Sequence, residues 1–331
     1  MGKQQNIRIL VTGGGGFVGF ALIKRLKTEG YEVSSFSRQK YSFLEELGIK
    51  QFNGNLSSYE SVLDATRDMD LVFHVAAKAG FWGSYKEYYE ANVLGTDNII
   101  KACQKSKVKK LIFTSSASVV FGGEAIENGN TSLPYPNIPL NHYTATKALS
   151  EQAVIDANCD SLKTISLRPH IIWGPGDRHI IPRLLDRAKT GKLQQIGNGK
   201  NFVDTIFIDN FIDAQLLAMK ALDDNHACRG KAYFVTNAEP VLLWVFLNDI
   251  LKKAQLQPVS RSISQRTALI IAKVLTGFHH LLLPNKEPVL TSFLVKELSE
   301  SHYFDISDTM KDLGYTPEIS LEEGLNKLFD K

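Results

Sequence analysis

Near its N-terminus the chain reads TGGGGFVG at residues 12–19, directly after an apolar run at residues 7–11. The glycines fit two spacings, Gly14-x-Gly16-x-x-Gly19 and the wider Gly13-x-x-Gly16-x-x-Gly19. In either spacing, glycines permit a tight turn after a strand and let the backbone approach a pyrophosphate at a helix N-terminus. The apolar run before the turn and the helical pattern after it are the context that such a site requires. The sequence therefore predicts a dinucleotide-binding turn.

Short β-rich runs alternate with helical patterns through the first half of the chain. Nearly continuous apolar runs predict buried parallel strands at residues 7–11, 32–36, 71–75, 110–114 and 162–167. Helical periodicity predicts helices at residues 20–29, 93–105 and 143–158. This alternation predicts an α/β fold with a Rossmann-type, doubly wound parallel sheet. Residues 202–208 and 232–236 are expected to form late strands that return to this sheet.

The alternation ends after Arg168-Pro169, at a turn-forming cluster of residues 173–177. A chain of 331 residues suits one large domain with a smaller one. We therefore predict a Rossmann domain from residues 1–170 and 204–240. A smaller, discontinuous substrate-binding domain is expected from residues 171–203 and 241–331, which are mostly helical towards the C-terminus.

Composition excludes several classes of function. A net charge of +3 is too small to indicate nucleic-acid binding. The three cysteines are odd in number and lack CxxC spacing, which predicts reduced thiols without a disulfide framework or a metal site. The polar residues 1–6 do not resemble a secretory signal. We therefore expect a cytoplasmic protein.

The apolar segment at residues 267–283 needs separate treatment. At 17 residues it is at the short limit for a membrane-spanning helix, and it contains Lys273 and two histidines. A buried or groove-lining helix is the favoured interpretation. Contact with a membrane surface is the alternative, which would make the protein peripheral to the membrane.

The end of the second predicted strand bears on the choice of cofactor. A site selective for NAD places an acidic residue there, about 20 residues after the glycine turn, to bind the ribose hydroxyl. This chain has Ser37 and Arg38 instead. Arg38 is suited to a charge-assisted fork on a 2′-phosphate. The sequence therefore favours NADP(H).

Tyr143 and Lys147 are four residues apart in a predicted helix, so they share one face. Hydride delivery to a ketone builds negative charge on its oxygen, which a phenol can meet with a proton. A nearby ammonium favours the phenolate and allows the reverse reaction. A hydroxyl must also fix the carbonyl oxygen. Ser116, after the strand at residues 110–114, is the first candidate, with Ser115 and Ser118 as alternatives.

Taken in order, these motifs resemble the extended short-chain dehydrogenase/reductase family. The glycine turn, Val75-Ala76-Ala77, Asn92-Val93-x-Gly95-Thr96, the serine cluster, Tyr-x-x-x-Lys and Leu167-Arg168-Pro169 all match. Within the family the chain resembles the 3β-hydroxysteroid dehydrogenase-like branch, and in it bacterial enzymes that reduce 2-alkyl-3-oxoalkanoic acids for olefin biosynthesis. AKAGFWGSY at residues 77–85 and RPHIIWGPGD at residues 168–177 carry this narrower resemblance.

The resemblance implies a catalytic set of Ser116, Tyr143 and Lys147. With the residues discussed above, the expected cofactor site comprises Gly13, Gly16, Phe17, Val18, Gly19, Ser37, Arg38, Asn55, Leu56, Ala76, Tyr143 and Lys147. Asn55 is a departure, because the family usually has Asp beside the adenine. Asn92 belongs to a helix motif in which a structural and a catalytic role are both open.

The implied activity is NADPH-dependent reduction of a β-keto acid that bears two long alkyl chains. Phe81, Trp82 and the segment at residues 267–283 are expected to line an apolar substrate crevice. A homodimer and association with other enzymes of the pathway are expected as well. The alternatives are a 3β-hydroxysteroid or sterol dehydrogenase, a nucleotide-sugar epimerase, and a redox sensor that binds NADP(H) without catalysis.

Overall fold

The structure, a computed structural model, describes residues 7–283 and 286–329. The outermost residues of the predicted domains, 1–6 and 330–331, and the pair 284–285 lie outside these described residues. The described strands are β1 (Arg8–Thr12), β2 (Glu32–Ser37), β3 (Lys50–Asn53), β4 (Leu71–His74), β5 (Lys110–Thr114), β6 (Ile126–Gly129), β7 (Lys163–Pro169), β8 (Ile172–Trp173), β9 (Gln195–Ile196), β10 (Phe202–Val203), β11 (Ile206–Phe207), β12 (Ala232–Val235), β13 (Val241–Leu242), β14 (Ser262–Ile263) and β15 (His302–Phe304).

The described helices are α1 (Phe17–Thr28), α2 (Ser42–Glu46), α3 (Tyr59–Thr66), α4 (Tyr85–Tyr88), α5 (Gly95–Ser106), α6 (His142–Asp156), α7 (Ile180–Lys189), α8 (Ile208–Asp224), α9 (Leu243–Lys253), α10 (Gln265–Leu282), α11 (Ser292–Ser299), α12 (Ser307–Leu313) and α13 (Leu321–Phe329). A π-helical turn, Tyr89–Leu94, joins α4 to α5.

The main sheet has seven strands in the order β12-β7-β5-β4-β1-β2-β3, and all its neighbouring strands are parallel. The chain winds outwards from β1 in one direction through β2 and β3, and then returns to wind the other way from β4. This reversal beside β1 leaves a crevice at the carboxyl ends of β1 and β4, where ligands bind in such folds. The predicted Rossmann-type sheet is confirmed.

Alternating side chains of the central strands bury both faces of this sheet. Ile9 and Val11 point into a large apolar cluster that continues into the C-terminal half, where it includes Trp173 and Phe207. Leu10 points the other way, into a smaller cluster shared with α3 and α5. Because every residue of β1 from Ile9 onward is buried, the sequence shows an apolar run rather than an alternating pattern.

One strand prediction is wrong. Residues 232–236 do return to the main sheet as β12, but residues 202–208 do not. β10 pairs with β13 and β15 in a second sheet of order β13-β10-β15-β6, and β11 pairs with β8. Asp204 lies between β10 and β11, and its carboxylate accepts a hydrogen bond from the Phe304 backbone N–H at 2.5 Å. Ile208 already belongs to α8.

The apolar segment at residues 267–283 forms most of α10, which packs beside α11. Only Ala268 and Ala272 of this helix are fully buried, whereas Ile270, Val274 and Leu281 are among its exposed side chains. α10 is therefore a surface helix rather than a buried one. Within residues 7–283 and 286–329, no helix has the length and apolarity that crossing a membrane requires.

Candidate active site

The glycine turn follows β1 and is held tightly against the neighbouring strands. Gly13 has a φ of +75°, and its N–H donates to the Phe36 carbonyl at 2.8 Å. A Cβ on Gly19 would lie 2.3 Å from the Gly13 carbonyl oxygen, and one on Gly13 would lie 3.0 Å from the Ala76 backbone. The turn and the first turn of α1 therefore exclude larger side chains, because their backbones lie close to each other and to Ala76.

α1 begins at Phe17 with Gly16 as its N-cap, and no side chain caps its first N–H groups. Uncapped N–H groups at the positive end of a helix suit a pyrophosphate. Phe17 and Val18 are half-buried, and Gly16 is exposed. The turn therefore fits a dinucleotide, with Ala76 behind it at the end of β4.

The two residues at the end of β2 differ in their surroundings. The Ser37 hydroxyl is buried and has no hydrogen-bond partner among the described residues. Arg38 is exposed, and no described residue holds its guanidinium in an ion pair. An unpartnered hydroxyl beside an unpaired cation fits the ribose 2′-phosphate that the sequence analysis expects.

Asn55 and Leu56 lie in the turn between β3 and α3. The Asn55 side-chain oxygen accepts the Ser57 N–H at 3.1 Å, so it already stabilises its own turn. The Leu56 carbonyl accepts from Asn98 Nδ2 at 2.8 Å, which joins this turn to α5. An adenine at this turn would therefore meet the Asn55 amide group, whose oxygen is already engaged.

Tyr143 lies in the first turn of α6, which Asn141 caps by accepting the Thr144 N–H at 2.8 Å. The Ser116 hydroxyl lies near the Tyr143 phenol and 2.8 Å from Ser118 Oγ. Burial raises the pKa of Tyr143, the Ser116 hydroxyl lowers it, and the charge of Glu297 raises it. The structure thus places Ser116 beside the phenol, whereas Ser118 contacts Ser116.

Lys147 lies one helical turn beyond Tyr143 and is almost fully buried. Its ammonium donates to the Thr114 carbonyl at 2.6 Å and lies 3.9 Å from the centre of the Phe113 ring. Burial lowers the pKa of Lys147 to about 7, although the charge of Glu151 raises it. The side chain is therefore held at the end of β5. An anion bound beside it would favour its protonated form.

His74, at the end of β4, is a buried polar residue that the sequence analysis missed. Thr12 Oγ1 accepts the N–H groups of Val75 and Ala76, both at 3.1 Å, so its own proton goes to His74 Nδ1 at 2.8 Å. His74 Nε2 then donates to Thr96 Oγ1 at 3.0 Å. Burial, with a contribution from Lys147, lowers the pKa of His74 to about 3. The neutral ring fixes the turn that contains Ala76.

A second missed feature is the buried pair formed by Glu151 and Arg168. Their closest atoms are 2.7 Å apart, and both side chains are almost fully buried. Ser166 and Tyr135 each donate to the Glu151 carboxylate at 2.8 Å. The sequence carries a signal for it, because Tyr143, Lys147 and Glu151 follow one another at intervals of four along α6. This pair anchors the helix that presents the phenol and the ammonium.

Asn92 has structural contacts in the π-helical turn. Its oxygen accepts the Lys78 N–H at 2.7 Å, and its Nδ2 donates to the Lys78 carbonyl at 3.2 Å and to Thr146 Oγ1 at 3.0 Å. It thereby ties the loop after β4 to α6 between Tyr143 and Lys147. Of the two roles that the sequence left open, these contacts support the structural one.

The loop after β4 contacts the C-terminal helices. The Phe81 ring lies 5.0 Å from that of Phe293 on α11. The Trp82 ring lies 4.5 Å from that of His280 on α10. These contacts form an aromatic cover over the loop that follows β4, and its role in lining the substrate crevice stays a prediction.

Beside this cover lies the one group of described residues that is arranged to hold a metal ion: His170, Glu297 and His302, whose ligand atoms lie within 4.8 Å of one another. His302 Nε2 is 2.8 Å from the Glu297 carbonyl oxygen and 3.8 Å from its carboxylate. Burial, with a contribution from His302, holds the pKa of His170 far below its ordinary value. Burial raises the pKa of Glu297. The sequence predicts no metal site, and that stays a prediction.

The glycine turn, the buried Lys147 and the neighbouring Ser116 and Tyr143 at the open edge of a Rossmann sheet define a nicotinamide-dependent oxidoreductase that acts on hydroxyl or keto groups. A match to the 3-beta hydroxysteroid dehydrogenase/isomerase family spans residues 10–264. The chain belongs to this family, a branch of the extended short-chain dehydrogenases/reductases.

Similar proteins narrow this class. Over 96% of its length the chain is 44% identical to 2-alkyl-3-oxoalkanoate reductase of Shewanella oneidensis, 84% of which is covered. It is 35% identical to mouse sterol-4-alpha-carboxylate 3-dehydrogenase, decarboxylating, with 96% of this chain and 88% of the relative covered. A structure of Bacillus cereus UDP-glucuronic acid 4-epimerase with UDP-glucuronic acid and NAD matches with a TM-score of 0.76 at 21% identity, over 98% of each chain. That likeness shows a common fold.

Proposed function

We propose that this protein uses NADPH to reduce long-chain 2-alkyl-3-oxoalkanoic acids to 2-alkyl-3-hydroxyalkanoic acids, as a step of olefin biosynthesis. The proposal rests on one observation: the Tyr143 phenol lies near the Ser116 hydroxyl and one helical turn from the buried Lys147. The relative of that name, 44% identical over nearly the whole chain, supports the choice of substrate.

When bound, NADPH supplies the hydride that forms the new C–H bond at C3 of the substrate. Tyr143 donates its proton to the C3 oxygen as the carbonyl π bond breaks, so the ketone becomes an alcohol. Ser116 donates a hydrogen bond to the same oxygen while negative charge develops there. Lys147, one helical turn further along α6, supplies the positive charge that stabilises the conjugate base of the phenol, which must be reprotonated before the next turnover.

Two features of the site support the finer parts of the proposal. Ser37 and Arg38 offer a hydroxyl and a cation for a 2′-phosphate, and no acidic residue follows β2 to favour NAD. Phe81, Trp82 and Phe293 offer apolar surface to alkyl chains, for which burial is worth about 0.8 kcal/mol per methylene.

The test is NADP⁺-linked oxidation of a long-chain 2-alkyl-3-hydroxy acid, because β-keto acids decarboxylate readily. A 3β-hydroxysteroid and a UDP-sugar serve as competing substrates. We expect turnover of the hydroxy acid alone. Tyr143→Phe should reduce kcat by a factor of about 10²–10⁴ while the Kd of NADPH stays unchanged. Tyr233→Phe, which removes a buried phenol bonded to Asp312 outside the site, is the control for phenol removal as such.

Each other result has a definite meaning. Turnover of the steroid instead would support the sterol dehydrogenase alternative. The 35% identical mouse relative, a sterol-4-alpha-carboxylate 3-dehydrogenase, is the similarity behind that alternative. Unchanged kcat in Tyr143→Phe would contradict the assigned proton donor. Equal Michaelis constants for NADPH and NADH would contradict the cofactor preference, and Arg38→Ala should raise only the constant for NADPH.

A further inference from the structure

α10 presents an apolar face that no described part of the chain covers. Six of its large apolar side chains are exposed: Ile270, Ile271, Val274, Phe278, Leu281 and Leu282, with exposed fractions between 40% and 81%. A helix advances about 100° per residue, so these six positions fall within an arc of about 120°. Ala268 and Ala272, the buried positions of the helix, lie outside that arc. The face is continuous along the helix and points away from the protein.

The charges of α10 are all of one sign. The helix contains Arg266 and Lys273 and no aspartate or glutamate. Arg266 and Lys273 are exposed and seven residues apart, so both lie along one edge of the apolar face. An apolar face with a cationic border is the pattern of helices that lie in a membrane interface.

The position of α10 connects this face to the crevice. His279 and His280, near the end of the helix, place their rings 6.2 Å and 4.5 Å from that of Trp82. α11, which packs beside α10, carries Phe293 against Phe81. The helix therefore separates the aromatic cover of the crevice from the surroundings of the protein. A bilayer under α10 would lie next to the crevice, where an apolar substrate dissolved in that bilayer could enter.

We propose that the apolar face of α10 docks on the surface of an anionic lipid bilayer. Charge identifies the bilayer as the partner of this face. Anionic headgroups would pair with Arg266 and Lys273 while the acyl region covers the apolar side chains. A second copy of the chain fits this patch less well. A twofold interface pairs a patch with itself, and α10 has no carboxylate to meet its own cations.

Vesicle flotation tests the proposal with the full chain and without any substrate, so its failure is distinguishable from failure of the proposed activity. The probes are vesicles of phosphatidylcholine alone and of phosphatidylcholine with phosphatidylglycerol. We expect binding to the anionic vesicles about tenfold above the neutral ones, and weakening of that binding at high salt. Binding to neither kind of vesicle would overturn the proposal.

Two double variants separate the apolar and the charged parts of the surface. Val274→Asp with Phe278→Asp should reduce binding to anionic vesicles at least about tenfold. Arg266→Gln with Lys273→Gln should abolish the preference for anionic lipid. Ile138→Asp with Val245→Asp, at exposed apolar positions outside α10, is the matched control and should bind like the wild type.

Thermal unfolding and the Kd of NADPH check that each variant is folded. If Val274→Asp with Phe278→Asp does not fold, the fully exposed charge variant still decides the matter. Wild-type binding by both α10 variants would overturn the proposal. So would a wild-type dimer that dissociates in the aspartate variant while neither form binds vesicles, since the face would then belong to a second copy.

Discussion

The carboxyl ends of β1 and β4 and the helix α10 are built in opposite ways. At the strand ends, the polar side chains of Thr12, His74 and Thr96 are buried and bonded to one another. α10 buries only Ala268 and Ala272 and exposes a row of large apolar side chains. The first region leaves little freedom for substitution. The second is held by a few small residues and by ring contacts.

This difference in construction matches two different tasks, the chemical step and the binding of substrate. A cofactor and a proton donor must be held in one geometry, so the residues around them are satisfied by specific partners. An alkyl chain requires only apolar surface, which many side chains supply. At the strand ends, even a substitution that removes a single polar atom should therefore impair the protein. In the C-terminal cover, exchange of one apolar side chain for another should have little effect.

The largest expected effect of a single substitution on stability is that of Glu151→Gln, in the rigid region. It leaves the Arg168 guanidinium buried without its charge partner, which should lower the free energy of unfolding by about 3–5 kcal/mol. Urea denaturation at neutral pH measures this. Glu90→Gln, which removes the exposed partner of Lys86, is the control and should change stability by less than about 1 kcal/mol.

The stability difference between wild type and Glu151→Gln should depend on pH. Burial alone raises the pKa of Glu151, but the charge of Arg168 and the surrounding hydrogen bonds outweigh it, so the pKa lies below its ordinary value. The stabilisation is therefore present above the carboxyl pKa of the unfolded chain and is lost as pH falls through the folded pKa. The gap between wild type and Glu151→Gln should narrow in acid. A gap that stays constant down to strongly acidic pH would contradict the charge pairing.

Two glycine substitutions compare the regions directly. Gly19→Ala forces a Cβ to 2.3 Å from the Gly13 carbonyl oxygen, so it should destabilise the turn by about 1–3 kcal/mol and weaken NADPH binding. Gly277→Ala, in α10, meets nothing within 4 Å and should stabilise the helix by about 0.5–1 kcal/mol. Calorimetry and cofactor titration measure both. Equal effects of the two substitutions would remove the proposed contrast in rigidity.

The same contrast explains what the sequence could predict. The glycine turn, Tyr143 and Lys147 are readable because each role admits few residue types at a fixed spacing. The central strands are readable because burial on both faces makes them continuous apolar runs. The sheet that residues 202–208 join could not be predicted, because their apolar pattern is compatible with any sheet. Their contacts are with distant residues, such as the bond from Phe304, a hundred residues away, to Asp204.

Other parts of the site were hidden for the same physical reason. His74 acquires its role only when β4 comes beside Thr12 on β1, and nothing near it in the sequence indicates that contact. Glu151 continues the spacing of Tyr143 and Lys147 along α6, but its pairing with Arg168 becomes evident only once β7 lies beside β5. The apolarity of α10 was evident in sequence, but whether a helix of that composition is buried depends on how much of the chain packs over it.

The smallest expected effect is that of a substitution in one region on a pKa in the other. Glu297 lies on α11, in the cover, yet its charge contributes to the raised pKa of Tyr143, behind the larger effect of burial. Glu297→Gln removes that charge and should lower the pKa of the phenol. Oxidation of the alcohol requires the phenolate, so the acidic limb of its pH–rate profile should move to lower pH, by less than about one unit.

Glu300→Gln is the matched control, since Glu300 follows the same helix and bonds Lys296 and Gln265. Its pH–rate profile should coincide with that of the wild type. A shift of the Glu297→Gln profile towards higher pH would show that this carboxyl does not act on the phenol as an anion. An equal shift in both variants would mean that the cover influences the proton donor through its packing rather than through the charge at residue 297.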